Sequence, residues 1–271
     1  MSSVPVTGST KFYALIGHPV KQVRTPTVLN AYLTEHSIDA VMVTFDLLPE
    51  NLQDFFNMMR GWQNCLGCCV TIPHKVKSFE CIDSTTERAQ RIGAVNIIKR
   101  DSKGHLHGDM MDGVGFLAAL EKNGTTVKNK NVVLVGGGGA GSAIADSVAE
   151  AGAKQLSLLE IDKNRQMTLI SNLQKTYPEI RIYDRLIPDP SIDILINASP
   201  LGMKINDPLP FPLEKIKDKI IVADVVTKPD ITSFLKNASK AGHLIQRGRE
   251  MAEAQMSMFI EFMGTPKKTD K

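Results

Sequence analysis

The sequence predicts an α/β protein of two domains, and three observations predict it. Strand-like and helix-like patterns alternate along almost the whole chain, as βαβ units with crossover helices require. The length, 271 residues, exceeds what one ordinary core needs. The stretch Asn131-Val-Val-Leu-Val-Gly-Gly-Gly-Gly-Ala-Gly-Ser-Ala-Ile-Ala-Asp146 sets a glycine-rich turn between a strand and a helix.

The elements follow in order. Lys11–Ile16 reads as a strand closed by Gly17-His-Pro19. From Pro26 to His36, Val28, Leu29, Tyr32 and Leu33 recur at helical spacing, with Pro26 suited to the first turn. Ala40–Phe45 is a second strand, and Pro49–Arg60 a helix with Leu52, Phe55, Phe56 and Met59 on one face. Cys68–Ile72 is a third strand, ending at Pro73-His-Lys75. Two strand-then-helix units in succession predict a parallel sheet. Glu80–Arg91 reads as one polar helix, then Gly93–Ile98, a turn over Lys99–Gly104 and a return through His105–His107. Gly113–Asn123 is a helix that Gly124 ends.

A second series starts at Asn131, with strand 132–135, helix 141–151, strand 155–160, helix 163–176 and a short strand at Arg181–Tyr183. Ile192–Ile196 and Lys219–Ala223 are further core strands, and Phe234–Ala241 and Glu250–Met263 the closing helices. The expected boundaries are 1–108 for an N-terminal α/β substrate domain and 109–245 for a Rossmann-type domain. A C-terminal segment, 246–271, is expected to pack back on the first domain. The cleft between the domains is the expected substrate site.

In the glycine turn, Gly136, Gly138 and Gly141 satisfy G-x-G-x-x-G between strand and helix. The first makes the tight turn, the second lets the backbone approach a pyrophosphate, and the third lets helix and strand pack closely. Free N–H groups at the helix start, among Gly139, Ala140 and Gly141, then hold the anion. About 20 residues further on stand Glu160 and Asp162, where a carboxylate accepts from the ribose 2′-hydroxyl and repels a 2′-phosphate. That favours NAD, with NADP admitted because Lys163 and Arg165 follow closely.

Composition excludes several classes. With 42% hydrophobic and 23% charged residues the chain is globular rather than disordered. No apolar run approaches the ~20 residues that cross a bilayer, and the first ten residues do not read as a signal peptide. A net charge of +3 is spread along the chain, with one short basic cluster at Lys267-Lys268, so neither nucleic acid nor membrane is expected as a partner. Cys65-Leu-Gly-Cys68 is formally C-x-x-C, but no second pair lies near enough to complete a zinc site. With Cys69 and Cys81 these read as small buried groups in a reducing, cytoplasmic setting, and no metal is expected.

Several of these segments together resemble the shikimate dehydrogenase family. Gly17-His-Pro19 with Thr25-Pro26 resembles its opening loop, and Val70-Thr-Ile-Pro-His-Lys75 its V-T-x-P-x-K signature. Gly93-Ala-Val-Asn96 matches G-A-x-N, and Gly108-Asp-Met-Met-Asp-Gly113 matches G-x-N-T-D-G in part. Asn197-Ala-Ser-Pro-Leu-Gly-Met203, Asp224-Val-Val226, and Gly248 with Met251 and Gln255 complete the set. The resemblance implies reversible oxidation of a ring hydroxyl on shikimate, quinate or a similar cyclic hydroxy acid by NAD(P)+.

It also implies the roles. Lys75 and Asp112 match the proton-transfer pair; either can exchange the hydroxyl proton, and Lys75 is the favoured base. Burial favours the neutral amine and a nearby carboxylate the charged one, so the residues leave the direction open. Thr71, Asn96 and Gln255 match substrate contacts; Asn197, Ser199, Val225, Gly248 and Met251 match cofactor contacts. The resemblance breaks at the carboxylate end. Two serines and a tyrosine that hold the substrate carboxylate in the family align with Val23, Thr25 and Thr227. Each hydrogen bond to a charged group lost there costs about 1.5–3 kcal/mol. Met110-Met111 replaces a polar pair, and Arg24 is a replacement anion contact or an exposed loop residue.

Three readings follow: a shikimate/quinate-type dehydrogenase, the same chemistry on another cyclic polyol or hydroxy acid, and a non-catalytic NAD-binding regulator. The retained Lys75, Asp112, Asn96 and Gln255 argue against the third. The chain is expected as a monomer or homodimer.

Overall fold

The structure, a computed structural model, describes residues 6–187, 191–216 and 218–266; Lys267-Lys268 lies outside them. The chain divides into two compact units. One comprises the residues up to Met111 together with those from Gln255 on, and the other is Asp112–Ala254.

The first unit contains β1 (Lys11–Gly17), α1 (Thr25–Glu35), β2 (Ala40–Asp46), α2 (Leu52–Gly61), β3 (Cys65–Val70), α3 (Lys75–Glu80), β4 (Ser84–Thr85), α4 (Glu87–Ile92), β5 (Ile97–Arg100) and β6 (Leu106–Asp109). Its sheet runs β2-β1-β3-β5-β6-β4. The β1–β2 and β1–β3 pairs are parallel, while β5 pairs antiparallel with both β3 and β6. The sheet is therefore mixed: the parallel expectation holds for the first three strands, and the hairpin reverses the chain after them. The apolar stripe of α2 is buried through Leu52, Phe55, Phe56 and Met59, each contributing about 1.5–3 kcal/mol by leaving water.

One expected element is wrong. Glu80–Arg91 is not a single helix: α3 ends at Glu80, β4 intervenes and α4 begins at Glu87. Tertiary pairing overrides the polar helical pattern. Ser84 and Thr85 register against His107 and Gly108, and the Asp83 carboxylate accepts from the Leu106 amide at 2.7 Å and pairs with Arg60. Thr86 then caps α4 by accepting from the Ala89 amide.

The second unit contains α5 (Asp112–Lys122), β7 (Asn131–Val135), α6 (Gly139–Glu150), β8 (Gln155–Leu159), α7 (Lys163–Thr176), β9 (Arg181–Tyr183), β10 (Ile194–Asn197), β11 (Ile221–Asp224), α8 (Ser233–Lys240) and β12 (Leu244–Gln246). The last helix, α9 (Gly248–Met263), starts in this unit and ends in the first. All pairings in this sheet are parallel, in the order β12-β11-β10-β7-β8-β9. That is the doubly wound order 3-2-1-4-5-6 of dinucleotide-binding sheets, read from the other edge. Both faces are covered, as the unbroken apolar strands require. Val132, Leu134, Ile194 and Ile196 pack with Ile144 and Val148 of α6, and Val133, Leu195 and Val222 pack with Phe234 and Leu235 of α8.

Within the first unit, the C-terminal end of α9 lies against the sheet. The Tyr13 hydroxyl donates to the Gly264 carbonyl at 2.6 Å, and a Cβ at Gly67 would meet the Met263 sulfur at 2.9 Å. Among the described residues no helix is long and apolar enough to cross a membrane.

Candidate active site

In the first unit the expected substrate residues gather at the carboxyl ends of β1 and β3 and around the start of β5. Thr71 follows β3, and its amide donates to the Ile16 carbonyl, while the His18 amide donates to Ile72. A Cβ at Gly17 would collide with the Thr71 methyl, so the end of β1 can approach Thr71 this closely only because residue 17 is glycine. Val23, Arg24 and Thr25 are all half-buried, so Arg24 is not the freely exposed loop residue of one expectation. Lys75 opens α3, half-buried, and its carbonyl accepts from the Val95 amide at 3.0 Å. The adjacent His74 is buried, its Nε2 bonded to the Leu47 carbonyl at 2.8 Å, which makes it a structural anchor for the turn.

Asn96 is 3% exposed and joins three strands' ends. Its carbonyl accepts from the Val70 amide, its amide donates to Asp109, and its side-chain oxygen accepts from the Met111 amide at 2.8 Å. It therefore fixes the backbone immediately ahead of Asp112. Gln255, on α9, is buried. The four cysteines are free and buried; burial pushes the Cys65 thiol up to about 11 and the Cys69 thiol up to about 12.

In the second unit, Asp112 opens α5 and is 3% exposed. The glycine turn has the geometry its pattern demands. Gly136 has φ +100°, and a Cβ there would meet the Ser199 amide nitrogen at 2.8 Å. A Cβ at Gly141 would collide with the Gly136 carbonyl. At Gly138 a Cβ would meet nothing within 4 Å, so the turn opens outward at the one position where a pyrophosphate has to approach. The first α6 hydrogen bond within the helix runs from the Ser142 amide to Gly138, so the amides of Gly139, Ala140 and Gly141 have no partner inside the helix. Open backbone, helix-end amides and small residues suit a dinucleotide's phosphates.

Beside the turn, the Glu160 carboxylate, 5% exposed, accepts from the Gly137 amide at 2.7 Å and the Asp162 amide at 3.0 Å. Burial alone would raise its pKa, but the Asp162 and Gly137 amides, with Arg165, outweigh that and hold it below the usual range. Asp162 is exposed and caps α7, accepting from the Arg165 amide. Arg165 lies 3.5 Å from each carboxylate, whereas Lys163 is engaged with Gln166.

At the ends of β10 and β11, the fully buried Asn197 donates to the Leu201 carbonyl and to Asp224, and accepts from the Ser199 amide and hydroxyl. The Val225 amide donates to the Asn197 carbonyl at 3.0 Å. Thr227 is half-buried, and Gly248 packs so tightly on Val226 that a Cβ would collide with its carbonyl. Met251 belongs to the core under the sheet, packed with the same cluster as Ile196 and Ala223. Sequence reasoning assigned no role to Asp224, Thr232 or the Asn96–Met111 bond. Asp224 stood in the resemblance only as part of Asp224-Val-Val226, and the signal for a structural role was its carboxylate standing inside the apolar run Ile220–Val226.

A doubly wound parallel sheet with this turn and a carboxylate at the end of its second strand, joined in one chain to a separate α/β unit carrying Lys75, defines a nicotinamide-dependent dehydrogenase. Residues 15–98 match the family model described as the shikimate dehydrogenase substrate binding domain. The chain is 35% identical over 241 residues to the shikimate dehydrogenase (NADP(+)) of Methanocaldococcus jannaschii, covering 87% of this chain and 84% of that one. A crystal structure of a shikimate dehydrogenase in complex with NADP+ superposes with TM-score 0.88 at 30% identity, covering 96% and 92% of the two chains. The quinate dehydrogenase of Corynebacterium glutamicum in complex with NAD gives 0.83 at 26% identity over 94% and 93%. The ligand-free 5-ketofructose reductase of Gluconobacter sp. strain CHM43 gives 0.83 at 28% identity over 94% and 92%. The chain belongs to the shikimate dehydrogenase family.

Proposed function

We propose that this chain catalyses the reversible NAD(P)-dependent oxidation of a ring hydroxyl on shikimate, quinate or a closely similar cyclic hydroxy acid. The observation that carries the reading is the retention of Lys75 and Asp112, with Asn96 fixing the residue before Asp112, in a chain whose relatives are dehydrogenases. When bound, the nicotinamide dinucleotide supplies the acceptor for the hydride. Lys75 takes the hydroxyl proton while the carbon-bound hydrogen leaves with its electron pair. The Asp112 carboxylate orients that hydroxyl and balances the ammonium that forms. Thr71, Asn96 and Gln255 hold the remaining ring hydroxyls in register.

For the cofactor we favour NAD. Glu160 is a buried, acceptor-only carboxylate beside the glycine turn, suited to a ribose 2′-hydroxyl and repulsive to a 2′-phosphate. The relative from M. jannaschii is named for NADP(+), and Arg165 beside Glu160 and Asp162 leaves NADP usable.

A second reading keeps the chemistry and changes the ring. Val23 offers no side-chain donor, and Met110 and Met111 are buried apolar groups, which suits a substrate without a carboxylate. The likeness to a 5-ketofructose reductase points the same way. Nicotinamide absorbance measured with shikimate, quinate and neutral cyclic polyols, with both cofactors, separates the two. Turnover of the acids supports the first reading, and turnover of neutral rings alone replaces it with the second.

A further inference from the structure

Asp224 is a buried carboxylate that the proposed chemistry does not consume, and it stands where three segments of the second unit meet. It is 1% exposed at the carboxyl end of β11. Its Oδ1 accepts from the Asn197 side-chain amide at 3.0 Å and from the Val226 amide at 2.9 Å, and its Oδ2 accepts from the Thr232 hydroxyl at 2.7 Å. Each donor belongs to a different segment. Asn197 organises the loop after β10 by donating to Leu201 and accepting from Ser199. Val226 lies in the segment against which Gly248 packs. Thr232 caps α8 by accepting from the Leu235 amide at 3.2 Å.

These segments adjoin the glycine turn directly, since a Cβ at Gly136 would meet the Ser199 amide and the Ala198 carbonyl. With the pyrophosphate at the turn after β7 and the adenosine ribose toward Glu160 on the β8 side, the other half of a dinucleotide extends toward β10 and β11. We infer that Asp224 is a positioning residue for the nicotinamide half of the cofactor, its carboxylate locking the Asn197–Leu201 loop, the Val225–Thr227 segment and the start of α8 into one receiving surface. The inference rests on the dinucleotide reading above. A buried carboxylate is an expensive way to join three loops, and an apolar side chain would leave three donors unmet.

The groups facing Asp224 are neutral donors. Among the described residues, the carboxylates on the adjoining segments are engaged elsewhere, Asp207 with the Gly202 and Lys204 amides and Asp230 with Arg247 and Arg249. Burial pushes the Asp224 carboxyl up to about 6 against the pull of its three hydrogen bonds. Once protonated, its hydroxyl must donate, and Thr232 must turn to accept. Asp224→Asn reproduces that state at every pH.

The test is calorimetric titration of the full chain and Asp224→Asn with NAD+, NADP+ and ADP, from pH 5 to pH 8. At pH 8 the variant should bind the preferred dinucleotide about tenfold more weakly, as loss of a hydrogen bond to a charged group implies, with ADP affinity unchanged. Wild-type affinity should fall toward the variant's as pH drops through about 6, while the variant stays flat across that interval. Glu160, held below its usual range, does not titrate there. Unchanged dinucleotide binding, or an equal loss for ADP, overturns the inference alone. A wild type that binds neither dinucleotide overturns the functional reading beneath it. If Asp224→Asn melts below assay temperature, Thr232→Val should weaken dinucleotide but not ADP, with Thr232→Ser restoring affinity; a valine variant that binds like wild type overturns the inference.

Discussion

The side-chain oxygen of Asn96 accepts a hydrogen bond from the Met111 amide at 2.8 Å, both residues being buried. The bond fixes the peptide that leads into Asp112, and the Asn96 backbone is itself held by Val70 and Asp109. Asn96→Ala leaves a buried amide unsatisfied and should cost about 1–3 kcal/mol of stability by denaturant unfolding. Turnover should fall further than that loss explains, because Asp112 is no longer held. A variant with wild-type kcat would show that the bond serves folding only.

Lys75→Ala should lower kcat by about 10²–10⁴-fold, the usual weight of a positioned acid–base group. Cofactor affinity should stay within a few-fold of wild type, since Lys75 and the glycine turn belong to different units. Parallel loss of cofactor binding in a calorimetric titration would make the lysine structural.

Glu160→Gln combined with Asp162→Asn should shift the ratio of kcat/KM for NADP over NAD upward by about tenfold, by removing repulsion worth about 1.4 kcal/mol and releasing Arg165. Steady-state rates with both cofactors measure it. An unchanged ratio would show that neither carboxylate reads the ribose.

Gly136→Ala should weaken dinucleotide binding by about tenfold to a hundredfold in a calorimetric titration. The residue has φ +100°, and its Cβ would press on the Ser199 amide, so the strain of about 1–3 kcal/mol falls within the turn itself. Retained binding would mean that the turn is not the phosphate site.

The pH dependence of stability follows from Asp224. Burial raises its carboxyl from the ordinary 3.8 to about 6 in the folded state, so between those values the folded protein binds more proton than the unfolded chain. Stability from this group is therefore greatest below about pH 4 and declines as pH rises through about 6. Asp224→Asn should melt higher than wild type at pH 8 and lose that advantage at pH 4. A variant less stable than wild type at pH 8 would mean that its hydrogen bonds outweigh the burial of charge.

What was legible in the sequence was local. The turn at Gly136–Gly141, the stripe of α2 and the bounds of α7 each follow from neighbours a few residues apart. β4 and β12 escaped because strands of two or three residues are defined by their partners, His107 and Gly108 for one and Ile221–Ala223 for the other. The Asp224 cluster escaped for the same reason, since Asn197 lies 27 positions away. Met251, a motif position expected at the cofactor, also packs with the buried cluster of Ile196 and Ala223, a contact between residues too distant in the chain for any local pattern to signal.

The most direct test of the account is to supply shikimate or quinate deuterated at the carbon to be oxidised, together with NAD+ or NADP+, and to examine the reduced dinucleotide by mass spectrometry. Deuterium should appear in the nicotinamide ring, and Lys75→Ala should slow its appearance without changing where it goes. Reduced dinucleotide without the label, or none formed from any ring alcohol despite measurable cofactor binding, would contradict it.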